Sequence, residues 1–181
     1  ERESQMIKVE SQHFIKGMHN LLNAHFMLRN DRKFIADIEK FEDFYHSKEG
    51  MATTNNQVQS FVYLYLAKLN HHFLEGSFSE GIMLIPTIEA KLSEYELQLD
   101  KHRTLIFYYK FACLFFGAGD FDNSVVYLNK IIHWKADLRS DLQCYARLLH
   151  LIAHYELGND EILESQVRSV YRFMSKMKNL T

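Results

Sequence analysis

Ten histidines in a chain of 181 residues are the first place to look for chemistry. His150 and His154 stand one helical turn apart, a spacing that lets two imidazoles address one metal ion. The residues between them, Leu151-Ile152-Ala153, omit the glutamate that makes such a pair a zinc-protease motif. His71 and His72 are adjacent, so a helix turns them about 100° apart and away from a shared ion. His13, His19 and His25 recur every six residues and drift around a helix. The histidines read as helix-surface or interface residues, and no metal is expected.

The other reactive groups are no more specific. Cys113 sits in the most apolar stretch of the chain, where burial raises a thiol's pKa and quiets it. Cys144 has Asp141 and Arg147 nearby on one helix face, an association that defines no mechanism. The carboxylate pairs Glu94/Glu96 and Asp120/Asp122 fall in turns and polar faces, where solvation explains them. No GxGxxG and no GK[ST] stretch occurs. The expectation is a non-enzymatic protein with no catalytic residue and no cofactor.

Charge excludes further classes. The formal net charge is −2, and no long run of one sign occurs. One basic stripe exists, Arg168, Arg172 and Lys176 at i, i+4 and i+8, with Lys178 beyond. It reads as a solvated helix face or as a junction to a further repeat, because three or four cations carry little affinity by counterion release. Neither nucleic acid nor a membrane is expected as a partner. No stretch reaches the roughly 18 apolar residues needed to span a bilayer. The opening Glu1-Arg2-Glu3-Ser4-Gln5 lacks the apolar core of a signal peptide. Two cysteines inside helical stretches point to a reducing compartment, so a cytoplasmic location is expected. The chain begins without methionine, which suggests a piece of something longer.

Apolar residues recur at helical spacing in about eight segments. The first, about Ser4 to Leu28, carries Ile7, Phe14, Met18, Leu21, Leu22, His25 and Leu28. Asn30-Asp31 can stop it and cap the second, which shows Phe34, Ile38, Phe41 and Tyr45. Ser47 to Asn56 is the most loop-like stretch and the best place for a boundary, although one domain over 1–181 is expected. The third segment, Gln57 to Leu74, offers Phe61, Tyr65, Leu69 and Phe73. The fourth, Phe78 to Leu99, contains Pro86, which should kink or divide it. The fifth, Arg103 to Phe116, is apolar nearly all round, as a mostly buried helix would be. The last three cover Phe121 to Trp134, Leu138 to Leu157 and Asp160 to Met177. Nothing alternates as a strand does.

These segments form four hairpins around the turns Leu28-Arg29-Asn30-Asp31, Leu74-Glu75-Gly76-Ser77, Gly117-Ala118-Gly119-Asp120 and Leu157-Gly158-Asn159-Asp160. Gly76, Gly119 and Gly158 recur about every 40 residues, within the range of stacked helical repeats. In the third hairpin, Tyr108, Phe111, Ala112, Phe115, Gly119, Phe121, Ser124 and Leu128 reproduce the size pattern of tetratricopeptide (TPR) repeats, and Ile131 departs from it. The second hairpin agrees through Tyr65, Leu69, Gly76, Phe78, Gly81 and Ile85, with Lys68 and His72 where apolar residues belong. The fourth agrees after a one-residue slip, and the first lacks the glycine. The repeat is also longer than the family's usual 34 or so residues, and the proline that commonly closes a repeat is missing. The stretch from Leu148 to Asn159 is similar to segments of uncharacterised bacterial proteins of this helical-repeat type.

The resemblance implies an all-α superhelix of about four stacked antiparallel hairpins whose first helices line an inner groove. In that register Tyr63, Leu66, Asn70 and Phe73 would face the groove from the second hairpin, and Tyr109, Cys113 and Phe116 from the third. Phe73 and Phe116 also fit a core role. Tyr63, Leu66, Asn70, Tyr109 and Cys113 are therefore the candidate partner-binding residues. The expected function is protein–protein interaction, with a peptide or partner protein bound along the groove. The alternative is a ligand-sensing or enzymatic helical domain with a central pocket near the fifth segment.

Overall fold

The computed structural model describes residues 2–134 and 140–178, with side chains described for 10–134 and 140–176. Every regular element among them is helical: α1 (Arg2–Met27), α2 (Asp31–His46), α3 (Thr54–Glu75), α4 (Phe78–Ile82), α5 (Ile85–Glu94), α6 (Lys101–Gly117), α7 (Phe121–Ile132), α8 (Ser140–Glu156) and α9 (Asp160–Lys178). Ile7 and Lys178 lie outside the residues whose side chains are described, and the expected start of the seventh segment at Leu138 lies outside the described backbone.

The expected fourth segment is two helices. Pro86 occupies the first turn of α5, where its missing N–H has no intrahelical partner to lose. Thr53, Asp100 and Asp120 cap α3, α6 and α7 by accepting backbone N–H groups from Asn56, His102 and Asn123 at 3.1, 2.9 and 3.1 Å. Asn30 stands before α2 but makes no side-chain cap bond. It stops α1 without capping its successor.

Four of the inter-helix turns share one geometry. Arg29, Gly76, Gly119 and Gly158 have positive φ, 51°, 72°, 80° and 69°. In each turn the next amide reaches back five residues: Asn30 N–H to the His25 carbonyl, Ser77 to His72, Asp120 to Phe115 and Asn159 to His154. This is the Schellman arrangement, which satisfies carbonyls that a helix end leaves unpaired. It needs a left-handed residue, which explains the glycines.

The chain falls into two compact units, Glu1–Leu99 and Asp100–Thr181. The loop after α2 lies inside the first unit. There α1 packs on α2 and α3, α2 on α3, and α3 on α4. Ile15, Met18, Leu22, Phe34, Ile38, Phe41, Leu64 and Ala67 form one buried cluster. In the second unit α6 packs on α7 and α8, α7 on α8, and α8 on α9. Phe111 meets Tyr127 edge-on at 5.4 Å, and Tyr127 stacks on Phe115 at 5.6 Å. Small residues let α6 and α7 approach closely: the buried Ser124 hydroxyl donates to the Ala112 carbonyl at 2.9 Å. Gln143 of α8 donates to the Ile131 carbonyl at 2.7 Å, tying α8 to the end of α7.

Candidate functional site

The expected groove residues occupy unlike environments. On α3, Tyr63 is half-buried and stacks on His19 with ring centroids 3.9 Å apart. Leu66 is half-buried and Asn70 is buried at 9% exposure. On α6, the Tyr109 phenol and the Cys113 thiol hydrogen-bond to one another one turn apart. Burial pushes the Cys113 thiol up to about 11 despite that bond and the Lys110 ammonium, so it stays protonated and is a poor nucleophile. Burial likewise raises the Tyr109 phenol and lowers Lys110 to about 8. The α6 residues thus form a desolvated polar knot, and Lys110 is the member that sequence reasoning missed.

A more open site lies elsewhere in the first unit. Tyr45 and His46 at the end of α2, Met51 of the following loop, Tyr65 of α3, and Lys91 and Tyr95 at the end of α5 line a cleft of about 320 Å³. Gln57 and Glu94 complete it. The loop wall is held firmly: Gln57 donates to the Met51 carbonyl at 2.9 Å and Asn56 to the Glu49 carbonyl at 3.2 Å. At the buried Gly50, a Cβ would stand 2.0 Å from the Phe44 carbonyl oxygen, so only glycine lets the loop fold back on α2.

Burial keeps the Tyr45 and Tyr65 phenols of the cleft neutral. Burial, with the adjoining Tyr95 phenol, pushes Tyr45 up to about 12. Burial and the Glu42 carboxylate raise Tyr65. Lys91 bonds Glu94 at 2.7 Å, which raises the ammonium, and lies 5.2 Å from the centroid of the Tyr95 ring. Lys68 pairs with Glu42 and sits 5.4 Å from the Tyr65 ring centroid. Each cation is therefore spent on a carboxylate and an aromatic face. What remains to a ligand is the exposed part of the half-buried Tyr45 and Tyr65, with Tyr95 buried behind them, a thioether and an amide.

The sequence placed Tyr45 and Tyr65 on packing faces and Ser47 to Asn56 at a boundary, so it missed this site. The readable signal was a hydroxyl where Phe or Leu would have served a sealed core.

The remaining candidates resolve differently. His150 is buried, and its Nε2 lies 3.3 Å from that of His154. Two imidazoles are fewer than the three or four ligands of a zinc site, and among the described residues no cluster of three or more His, Cys, Asp or Glu is placed to hold a metal. In the basic stripe, Arg168 pairs with Glu164 at 2.9 Å and Arg172 bonds the Arg168 carbonyl at 3.3 Å, both exposed. That is a solvated helix face. Tyr155 on α8 and Tyr171 on α9 are 65% and 73% exposed, so the second unit shows large aromatics to solvent. Among the described residues no helix is long and apolar enough to cross a membrane. No protein-family model matches the chain, and no curated protein or solved structure matches it either.

Proposed function

We propose that this chain is a non-enzymatic, cytoplasmic protein-interaction module of the TPR-like kind, and that the tyrosine cleft of its first unit docks a peptide segment of a partner protein. The observation that carries the reading is the convergence of Tyr45, Tyr65 and Tyr95 on one open cleft beside Met51. Tyrosine offers a large amphipathic contact surface with few torsions to freeze, which is why it recurs at recognition sites. Methionine adds an adaptable apolar contact. The TPR-like reading is supported by the same helix adjacency in both units, where the first helix touches the second and the third, and by the four equivalent turns.

Selection of short peptides from a random displayed library tests the proposal. Selected peptides should lose at least tenfold affinity on Tyr65→Ala or Met51→Ser, since truncating a central aromatic anchor costs about 2 kcal/mol or more. Peptides that bind these variants as tightly as the native chain, or that map to other surfaces, refute it.

A further inference from the structure

A second cleft, in the second unit, has a different character. It measures about 210 Å³ and lies between the end of α7, the middle of α8 and the face of α9. Its polar lining is Asn129, His133, Arg147, His150, Gln166 and Ser169, with no carboxylate among the described residues. Its volume is below the roughly 300 Å³ at which drug-sized ligands begin to fit, so it suits a small molecule.

Arg147 is its fixed charge, and the guanidinium is positioned before any ligand arrives. Its central carbon lies 4.3 Å from the centroid of the Phe173 ring, which sets the plane of the fork. One Nη donates to the Ile132 carbonyl over a long 3.4 Å. Nε is buried with no hydrogen-bond partner. Among the described residues no carboxylate pairs with Arg147. A guanidinium has five N–H donors, and leaving most of them unused in a partly desolvated place is unfavourable. The neighbouring His150 cannot serve as counter-ion, since a histidine is neutral or cationic.

We propose that this cleft binds a small carboxylate, gripped by the Arg147 fork and steadied by the side-chain amides of Asn129 and Gln166 and the Ser169 hydroxyl. A planar guanidinium matches a carboxylate through two parallel hydrogen bonds. One fixed cation balances one carboxylate charge, whereas a phosphate dianion would leave a charge uncompensated. The site is separate from the tyrosine cleft and does not depend on it.

Titration of the ¹⁵N-labelled chain with propionate, a monoanion near neutral pH, at ionic strength held constant with sodium chloride, tests the assignment. The Arg147 Nε–H signal and the Asn129 and Gln166 amide signals should shift saturably. Inorganic phosphate should bind at least fivefold more weakly. Arg147→Gln should weaken propionate binding at least tenfold, while Arg168→Gln on the solvated stripe should change nothing. Should Arg147→Gln unfold the chain, Gln166→Ala and Ser169→Ala, both on the outer helix, should each weaken binding severalfold with the amide spectrum otherwise preserved. Shifts no larger than those from chloride, tighter binding of phosphate, or unchanged affinity in the cleft variants would overturn the proposal.

Discussion

Arg29 holds, at φ 51°, the same station in the first inter-helix turn that Gly119 holds at φ 80° in the third. Both end their helix by the same pair of reaching-back amide bonds. A side chain in the left-handed region costs about 1–2 kcal/mol that glycine does not incur. Arg29→Gly should therefore raise stability by about 1 kcal/mol, and Gly119→Ala should lower it by about the same amount. A Cβ at Gly119 meets nothing within 4 Å, so the change probes backbone conformation alone. Thermal unfolding checks both, and equal midpoints for all three chains would contradict the assignment.

The loop that walls the tyrosine cleft depends on Gly50. Gly50→Ala forces a Cβ into the Phe44 carbonyl, and a clash with backbone should cost about 1–3 kcal/mol. Peptide binding at the cleft should weaken with it, because Met51 moves. A variant that unfolds at the native temperature and binds normally would show that the loop is not a fixed wall.

Tyr63 and Asn70 can be separated from the cleft. Asn70 is buried and Tyr63 stacks on His19 beside the buried cluster of the first unit. Asn70→Ala should destabilise by about 1–3 kcal/mol, as loss of a buried hydrogen-bonding group does. Chemical denaturation reads this directly; a cost below 0.5 kcal/mol or so, as at an exposed site, would return Asn70 to the surface.

His150 ties stability to pH. Burial first, then His154, His133 and Arg147, lower it from the ordinary 6.5 to about 4. The unfolded chain binds a proton near pH 6.5 that the folded chain refuses until about pH 4, so stability is full above 6.5 and falls as pH drops through that window. The loss should reach about 2–3 kcal/mol near pH 4. His150→Gln should flatten this part of the stability–pH profile. An unchanged profile in the variant would remove His150 as the cause.

Cys113 responds at the other end of the scale. Its folded pKa, near 11, lies above the ordinary thiol value, so the stability it adds is complete below about pH 8.5 and is lost as pH rises towards 11. Iodoacetamide should label folded Cys113 far more slowly at pH 8 than it labels the denatured chain. Equal rates would place the thiol in open solvent.

Local patterns carried much of this architecture. Apolar spacing gave the helices, Pro86 marked the division between α4 and α5, and Gly76, Gly119 and Gly158 marked turns whose left-handed backbone the structure displays. These are decisions among neighbours in the chain, made by torsional preference and by hydrogen bonds a few residues long. Arg29 escaped the same reading because its turn lacks the glycine that announces the geometry.

What tertiary structure alone decided is which polar side chains meet. Tyr45 and Tyr65 come from two different helices and Tyr95 from the cap that ends a third, and each reads singly as one more apolar-face residue. Arg147 looks like any helix-surface arginine until α9 lays Phe173 against it and, among the described residues, no carboxylate pairs with it. A sequence records the chemistry of each group. Burial, orientation and the choice of partner depend on groups distant in the chain, and those settle which tyrosine faces a cleft and which cation pairs with a carboxylate.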